Sequence, residues 1–547
     1  MRLALPLLAT AALVAGCATP RATEPVQLKI LAINDFHGNL KPSSGGIRIK
    51  DPADPGKTVT VAAGGAEHLA TAVNTLRAQN PNHVFVAAGD LVGATPLLSA
   101  LFRDEPTIES LSAMGLEIAA VGNHEFDKGA AELLRLQNGG CSSEGCKGPA
   151  PFTGAKFQYL AASTVVNATG KTLLPPYAVK RFGGIPVAFV GLTLKDTPTI
   201  VVPAGVAGLT FRDEADTVNA LVPELKKQGI EAIVVLIHEG GVPSGDYNEC
   251  PGISGPIVDI VKKLDKAVDL VISGHTHRAY NCTIDGRLVT SGDKYGTVVT
   301  QIDVTLDPKT GDIGKAVADN LIVRTTSFAK DPRQTELIAA YEKLAVPLAK
   351  RVVGRIGAAL SRDAGPAGES ALGQVIADAQ LAATRDAGAQ IALMNPGGIR
   401  AALPMPGDGQ LRYEDLFAVQ PFYNNLVTVT LSGAQLVQLL EQQWQTATRT
   451  HMLQVSRGFS YSWDNGKPMG QRVLPGSLTL NGQPIAADAR LRVTVNSFIA
   501  SGGDNFTVLK QGSDSRTGMM DVDALELYVR NNPTLVPGAL DRVTRVN

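Results

Sequence analysis

The chain has no excess of charge of either sign. Fifty Lys and Arg face 51 Asp and Glu, for a net charge of −1. That balance removes the electrostatic case for a nucleic-acid polymer as partner and fits a soluble globular protein. Long apolar runs are also missing, except Leu3–Gly16 behind Arg2, which is too short to span a bilayer and reads as a signal peptide. Cysteine is scarce, with five in 547 residues and no Cys-x-x-Cys pair, which argues against a thiolate metal site. There is no internal repeat or low-complexity tract. The length exceeds one ordinary core and implies two or three domains.

The apolar run ends in Val14-Ala15-Gly16-Cys17, which resembles a bacterial lipoprotein cleavage site with Cys17 as the lipidated residue. The alternative is ordinary secretion with cleavage nearby. Either reading places residues 18–547 outside the cytoplasm. Ala18 lacks the aspartate that resembles an inner-membrane retention signal, so an outer-membrane anchor is preferred for a Gram-negative source. Residues 18–26 read as a tether. The remaining cysteines, Cys141, Cys146, Cys250 and Cys282, suggest two disulfides in an oxidising compartment, with three connectivities open. Local pairing, Cys141 with Cys146 and Cys250 with Cys282, is favoured, since Cys141 and Cys146 lie in a Gly-rich insertion where a short staple is plausible.

Residues 27–325 alternate β-branched apolar runs with helix-like stretches at 66–79, 213–228 and 257–264, the pattern of an α/β core. A linker covers 326–352, with a helix over 331–351 that takes Pro332 in its first turn. A second unit, 353–547, carries predicted helices at 370–384 and 432–445. Its predicted strands lie at 390–394, 453–463 and 491–495.

Chemistry gathers at the ends of the apolar runs. They close on Asp35-Phe-His37, Gly-Asp90, Gly-Asn123-His124-Glu125, His238-Glu239 and Gly-His275-Thr-His277, so five of eight histidines fall in four short motifs. Carboxylate, imidazole and carboxamide groups at several strand ends are what a two-metal site needs. Asp35, His37, Asp90, Asn123, His238, His275 and His277 are the candidate ligands, with Asp90 as the bridge. A mixed N/O donor set suits two divalent ions of zinc, manganese, iron or cobalt. Such ions about 4 Å apart activate water and clamp a phosphoryl oxygen. His124 follows a ligand and is expected beside the metals without binding them. Asp127, one helical turn on, would hold it as an imidazolium that stabilises developing charge or protonates the leaving oxygen. His68, His83 and His451 fit no motif and read as surface or satisfied structural groups.

These motifs together resemble the calcineurin-like metallophosphoesterases, and Asn-Asp-Phe-His-Gly with Gly-Asn-His-Glu-Phe-Asp is similar to the 5′-nucleotidase branch. The resemblance implies an α/β architecture. Its parts are an N-terminal β-sandwich flanked by helices, a linker helix that serves as a hinge, and a C-terminal α/β substrate-binding domain. The second unit supports it with Asn395-Pro-Gly397-Gly398-Ile-Arg400, Pro-Phe422-Tyr-Asn424-Asn and Asn-Ser-Phe498 running to Gly-Gly-Asp504. By resemblance, Phe422 and Phe498 sandwich the base and Asp504 binds ribose hydroxyls. Arg400 has the geometry for bidentate contact with phosphate. Asn395, Gly397, Gly398 and Asn424 are expected to line the substrate. Arg362 lies in a Gly/Pro loop where relatives place an arginine nearer the next helix, and it is either a substrate contact or a solvated charge.

The expected function is extracytoplasmic 5′-nucleotidase activity through metal-activated water. The expected partners are nucleotides and a membrane through a lipid anchor, with neither a nucleic-acid polymer nor an obligate protein partner. Alternatives are a UDP-sugar hydrolase, whose periplasmic examples often have glutamine in place of His277, a 2′,3′-cyclic-nucleotide phosphodiesterase, and a non-catalytic nucleotide-binding lipoprotein. Thiosulfate-ester hydrolases in the same family have no base for Phe422 and Phe498 to stack.

Overall fold

The computed structural model describes residues 22–547 apart from positions 44, 144 and 446–449. The expected signal segment, Cys17 and residues 18–21 of the expected tether lie outside the described residues. Among the described residues, no helix is long and apolar enough to cross a membrane. Ala22 is already tied to the body of the protein through Gly183.

Strands of the three large sheets are numbered here in chain order. They are β1 Val26–Ile33, β2 His83–Ala88, β3 Ile118–Ala120, β4 Gln158–Leu160, β5 Tyr177–Phe182, β6 Ile185–Thr193, β7 Ala232–His238 and β8 Leu270–Ser273. Then follow β9 Ala279–Ile284, β10 Arg287–Gly292, β11 Val298–Leu306, β12 Ile313–Ile322, β13 Ile391–Met394, β14 Asn425–Ser432, β15 Gln454–Val455, β16 Arg490–Asn496 and β17 Ser513–Met520.

The first sheet runs β12-β11-β1-β2-β3-β4 and the second β9-β10-β8-β7-β6-β5. β1 to β4 are mutually parallel, as are β6, β7, β8 and β10, so the chain leaves each at the same edge of the sandwich. β1 shows why the sheets stack. Leu28, Ile30 and Ala32 join Val187, Phe189, Val234 and Leu236 between the sheets. Leu31 and Ile33 point the other way, onto Leu69, Val73 and Leu76 of helix Ala66–Arg77. Both faces are buried, so the run is continuously apolar rather than alternating. Helices Glu214–Lys227 and Pro256–Lys263 cover the outer face of the second sheet through Val218, Leu225, Ile257 and Val261. This is the expected β-sandwich flanked by helices.

Helix Pro332–Ala349 follows, capped by Asp331, whose carboxylate accepts from the backbone N–H groups of Arg333 and Gln334. The third sheet runs β15-β13-β16-β14-β17. Helix Ala371–Ala383 begins where expected, with Ser370 capping Gly373. Two expectations for this half are corrected. The helix over 432–445 stops at Glu441, because the Gln443 carboxamide turns inward to Leu440 O, Tyr461 Oη and the Leu453 N–H. The strand over 453–463 splits into Gln454–Val455 and Phe459–Trp463. Gly458 between them takes φ +90° with Asn481 Oδ1 2.6 Å from where a Cβ would lie, a turn only glycine tolerates. Both disulfides form as favoured, Cys141–Cys146 and Cys250–Cys282.

Candidate active site

β1, β2, β3, β7 and β8 deliver the expected ligands to one edge of the sandwich. The turns that do so are strained. Asp35, His37, Asp90, His275 and His277 all take positive φ, between 45° and 71°. Left-handed backbone at five non-glycine positions persists only where surrounding bonds fix it. The His37 N–H donates to Asp90 O and the Asp35 N–H to Gly89 O, which locks the first two turns together. At Gly122 a Cβ would lie 2.2 Å from Asp90 Oδ1, so only glycine lets the third turn approach.

Three groups of side chains bring their ligand atoms within 4.8 Å of one another: Asp35 with His37 and His277, His37 with Asp90 and His124, and Asp90 with His238 and His275. His277 Nε2 lies 3.3 Å from Asp35 Oδ1 and 3.1 Å from His37 Nε2. His238 Nε2 lies 2.9 Å from Asp90 Oδ2. His275 Nδ1 lies 3.1 Å from Asn123 Oδ1. His37 and Asp90 each belong to two groups, and Asp90 Oδ2 sits between His37 at 3.7 Å and His238 at 2.9 Å.

The surrounding bonds aim the donor atoms inward. Nδ1 of His37 donates to Gly93 O and Nδ1 of His238 to Ala88 O, both at 2.8 Å, so the Nε2 lone pairs face the cluster. Asp35 Oδ2 accepts from the His275 N–H and from Asn34 Nδ2, while Oδ1, though buried, has no hydrogen-bond partner. His238 Nε2 is likewise buried without a well-formed hydrogen bond among the described residues, facing only the Asp90 carboxylate at 2.9 Å. Buried donor atoms that crowd together without well-formed hydrogen bonds are costly unless a cation takes them, so the residues fit a divalent-metal site. Burial raises the pKa of Asp35 and Asp90, but the adjacent imidazoles outweigh it and hold both carboxyls well below their usual range, ionised as ligands require.

His124 Nδ1 meets Asp127 Oδ2 at 2.7 Å, as the spacing predicts. Burial opposes charging this imidazole, but Asp127 and Asp90 prevail and raise its pKa. Glu125, to which the sequence assigns no role, proves to be a brace. Its carboxylate accepts from the N–H groups of Gly122, Leu91, Asp90 and Val92, tying the third turn to the second. Burial and the charge of Asp90 push its pKa up to about 7.

The C-terminal half faces this cluster. The Phe422 ring stacks on His124 at 5.9 Å and 23°. Arg400 lies over the other part of the cleft, its Cζ 5.8 Å from the Phe422 ring, and its Nε and Nη2 are buried without a hydrogen-bond partner. Arg362 donates through Nη1 to Arg400 O at 2.5 Å, so the structure brings this loop residue to the cleft. Asn395 Nδ2 holds Asp504 Oδ2 at 2.7 Å, and Gly397 passes beside both. Gly398 packs on Met394 and Asn395. Phe498 covers the backbone of Gly503. Helix Thr197–Ile200 of the N-terminal half packs against Gly503–Asn505, closing the cleft at that end. Asn424 is buried and tied to its neighbours, with Oδ1 accepting from Ser497 and its carbonyl from the Asp521 N–H.

Two further groups come to the site without a sequence signal. Tyr295, at φ +59°, presents its ring edge to His37 and His277 at 5.9 Å, with Lys294 Nζ over its face. His451, expected to be structural, lies 3.4 Å from Asp504 Oδ2. The other two unassigned histidines are satisfied locally, His68 by Phe328 O and His83 by Asn80 O.

Asp521 yields a pH prediction. It is fully buried behind Asn424, and burial, opposed by bonds from Val522 and Asn424, pushes its pKa up to about 7. The folded state therefore binds a proton that the unfolded chain releases near pH 4. Stability falls as pH rises from about 4 to 7, and the full penalty, at most about 4 kcal/mol, holds above that window. Asp521→Asn keeps the acceptor for the Val522 N–H and removes the charge. It is expected to raise the thermal midpoint at pH 8 more than at pH 5, and equal shifts at the two pH values would sink this assignment.

The class follows from comparison with known proteins. A family model for calcineurin-like phosphoesterases matches residues 28–279, and one for the 5′-nucleotidase C-terminal domain matches residues 349–511. The chain belongs to the 5′-nucleotidase family, which joins these two domains. Among relatives, the Bacillus subtilis (strain 168) endonuclease YhcR is 32% identical over 512 residues, 93% of this chain and 40% of that protein. A Listeria monocytogenes cell wall protein, Lmo0130, is 31% identical over 536 residues, 91% of this chain and 66% of that protein. The chain thus spans less than two thirds of either relative. A solved 5′-nucleotidase precursor from Thermus thermophilus superposes with a TM-score of 0.77 at 28% identity, covering 95% of this chain and 99% of that one.

Proposed function

We propose that the protein is an extracytoplasmic 5′-nucleotidase that uses two divalent ions to hydrolyse nucleoside 5′-phosphates. The observation that carries the reading is Arg400. A half-buried guanidinium, with Nε and Nη2 buried and without a hydrogen-bond partner among the described residues, lies over the Phe422 ring and near enough to His37 and His124 to act on them electrostatically, where a phosphate would satisfy it.

Asp35, His37, Asp90, Asn123, His238, His275 and His277 would hold the ions. Divalent cations there supply Lewis-acid polarisation of the phosphoryl group and lower the pKa of water. Arg400 orients the phosphate, and Arg362 adds charge beside it. Phe422 and Phe498 grip the base by stacking, which tolerates every base. Asp504 accepts from ribose hydroxyls. His124, steadied at Nδ1 by Asp127, stabilises charge developing on phosphorus or gives a proton to the leaving 5′ oxygen.

The location is supported by two disulfides, which persist in oxidising compartments, and by the name of the cell wall relative. Anchorage through a lipidated Cys17 completes the proposal. The name of the endonuclease relative favours a second reading, phosphodiester hydrolysis at the same centre.

The test is phosphate release from AMP, UMP, ATP, UDP-glucose, 2′,3′-cyclic AMP, single-stranded DNA and glycerol 2-phosphate. The protein is stripped of metal and refilled with manganese or zinc, and a coupled phosphatase reads the diesters. Metal-dependent turnover of monophosphates well above glycerol 2-phosphate is expected. Preference for the diesters would replace the first reading with the second, and inactivity with bound metal would overturn both. Cells expressing the full chain are expected to hold it in the membrane fraction, and recovery of uncleaved protein in the cytosol would remove the location.

A further inference from the structure

Asp504 is an unusual carboxylate. It lies on a strained turn, with Gly502, Asp504 and Asn505 all at positive φ, and it is almost fully buried. One side chain bonds it, Asn395 Nδ2 at 2.7 Å, and the His451 imidazole is packed beside the same oxygen, Nδ1 standing 3.4 Å away without a hydrogen bond to it. Both act on Oδ2. Among the described residues nothing bonds Oδ1, so the carboxylate is clamped by one oxygen and presents the other. The two clamps are themselves fixed. Asn395 Oδ1 accepts from Asn496 Nδ2, whose own Oδ1 caps Ile499. The His451 N–H donates to Gln443 O, and the Gln443 carboxamide is tied to Leu453, Leu440 and Tyr461 in the core.

We propose that His451 is a positioning residue that selects nucleosides by their sugar hydroxyls, acting through Asp504. The inference rests on the reading of Asp504 as the ribose contact. A carboxylate held by the amide alone can pivot about that bond. An imidazole ring packed against the same oxygen blocks that pivot and leaves the Oδ1 lone pairs aimed at a vicinal diol. The ligand class is a furanose diol. Neither the base nor the phosphate is sensed at this point.

The test compares kcat and KM for AMP, 2′,3′-dideoxy-AMP and glycerol 2-phosphate, using metal-replete wild-type protein and its His451→Ala, His451→Asn and Asp504→Ala variants. In His451→Ala the kcat/KM ratio of AMP to dideoxy-AMP is expected to fall about tenfold, carried by KM for AMP, because the freed carboxylate no longer holds its bond to the sugar hydroxyl. His451→Asn keeps a planar polar group beside Oδ2 and is expected to recover most of the ratio. An unchanged ratio in His451→Ala, while Asp504→Ala lowers it, would overturn the role of His451 and leave Asp504 standing. Equal losses on all three substrates in His451→Ala, without recovery in His451→Asn, would also overturn it as a merely structural effect. A wild-type protein blind to the sugar hydroxyls would overturn the reading of Asp504 itself.

Discussion

Replacing His124 with alanine is expected to lower kcat for AMP by about 10²–10⁴-fold, the usual contribution of a positioned acid or base, while bound metal stays near the wild-type amount. The argument is geometric. His124 lies within 4.8 Å of His37 and Asp90, close enough to be mistaken for a ligand. Yet its Nδ1 is spent on Asp127, and its ring faces Phe422 from the C-terminal half. A group shared between the cluster and the substrate's side of the cleft is placed for proton transfer. The leaving group sharpens the test. Nitrophenolate leaves without a proton, so 4-nitrophenyl phosphate is expected to lose at least tenfold less than AMP if His124 protonates the leaving oxygen. Equal losses on both esters would mean that it stabilises charge on phosphorus instead. Loss of metal alongside activity would make it a ligand, and unchanged turnover would remove it from the chemistry.

Much of the metal cluster was legible because each motif closes an apolar run. The sandwich buries both faces of β1, β2 and β7, so those runs are unbroken, and their polar endings stand out. Parallel strands then carry the endings to one edge without further instruction. Asp127 was legible for a local reason, its three-residue spacing from His124. Groups that act across long separations were not legible. His451 reaches Asp504 over 53 residues and carries no neighbouring motif, so it looked like any structural histidine. Tyr295 reaches His37 only because the loop after β10 folds over the Asp35 turn, its N–H donating to Asp35 O. Arg362 was ambiguous because a Gly/Pro loop has no periodicity to say which way it turns. The overlong helix at 432–445 failed for the same kind of reason, since Gln443 is helix-compatible and only its distant partners pull it out.

Glu125→Ala is expected to weaken both the fold and metal binding, although Glu125 touches neither metal nor substrate. Its carboxylate collects four backbone N–H donors, at 2.6 Å from Gly122, 2.8 Å from Leu91, 3.1 Å from Asp90 and 3.4 Å from Val92. Three of these belong to the turn that carries Asp90, and one to the turn that carries Asn123. Alanine would leave buried donors without partners at about 1–3 kcal/mol each, partly relieved if water enters. A loss of about 3–5 kcal/mol of stability follows. Freed from its tie, the Asp90 turn at φ +51° relaxes, and metal affinity is expected to drop about 10–100-fold, the range for removing a partner that orients ligands. Glutamine decides between a brace and a mere space-filler. It matches the shape of glutamate but offers one acceptor oxygen, and its NH₂ would meet N–H groups head-on at the other. If both oxygens are needed, Glu125→Gln should lose metal nearly as readily as Glu125→Ala when titrated against a chelator and followed by thermal melting. A glutamine variant with wild-type affinity would show that one oxygen suffices and that the bonds from Asp90 and Gly122, or those from Leu91 and Val92, contribute little.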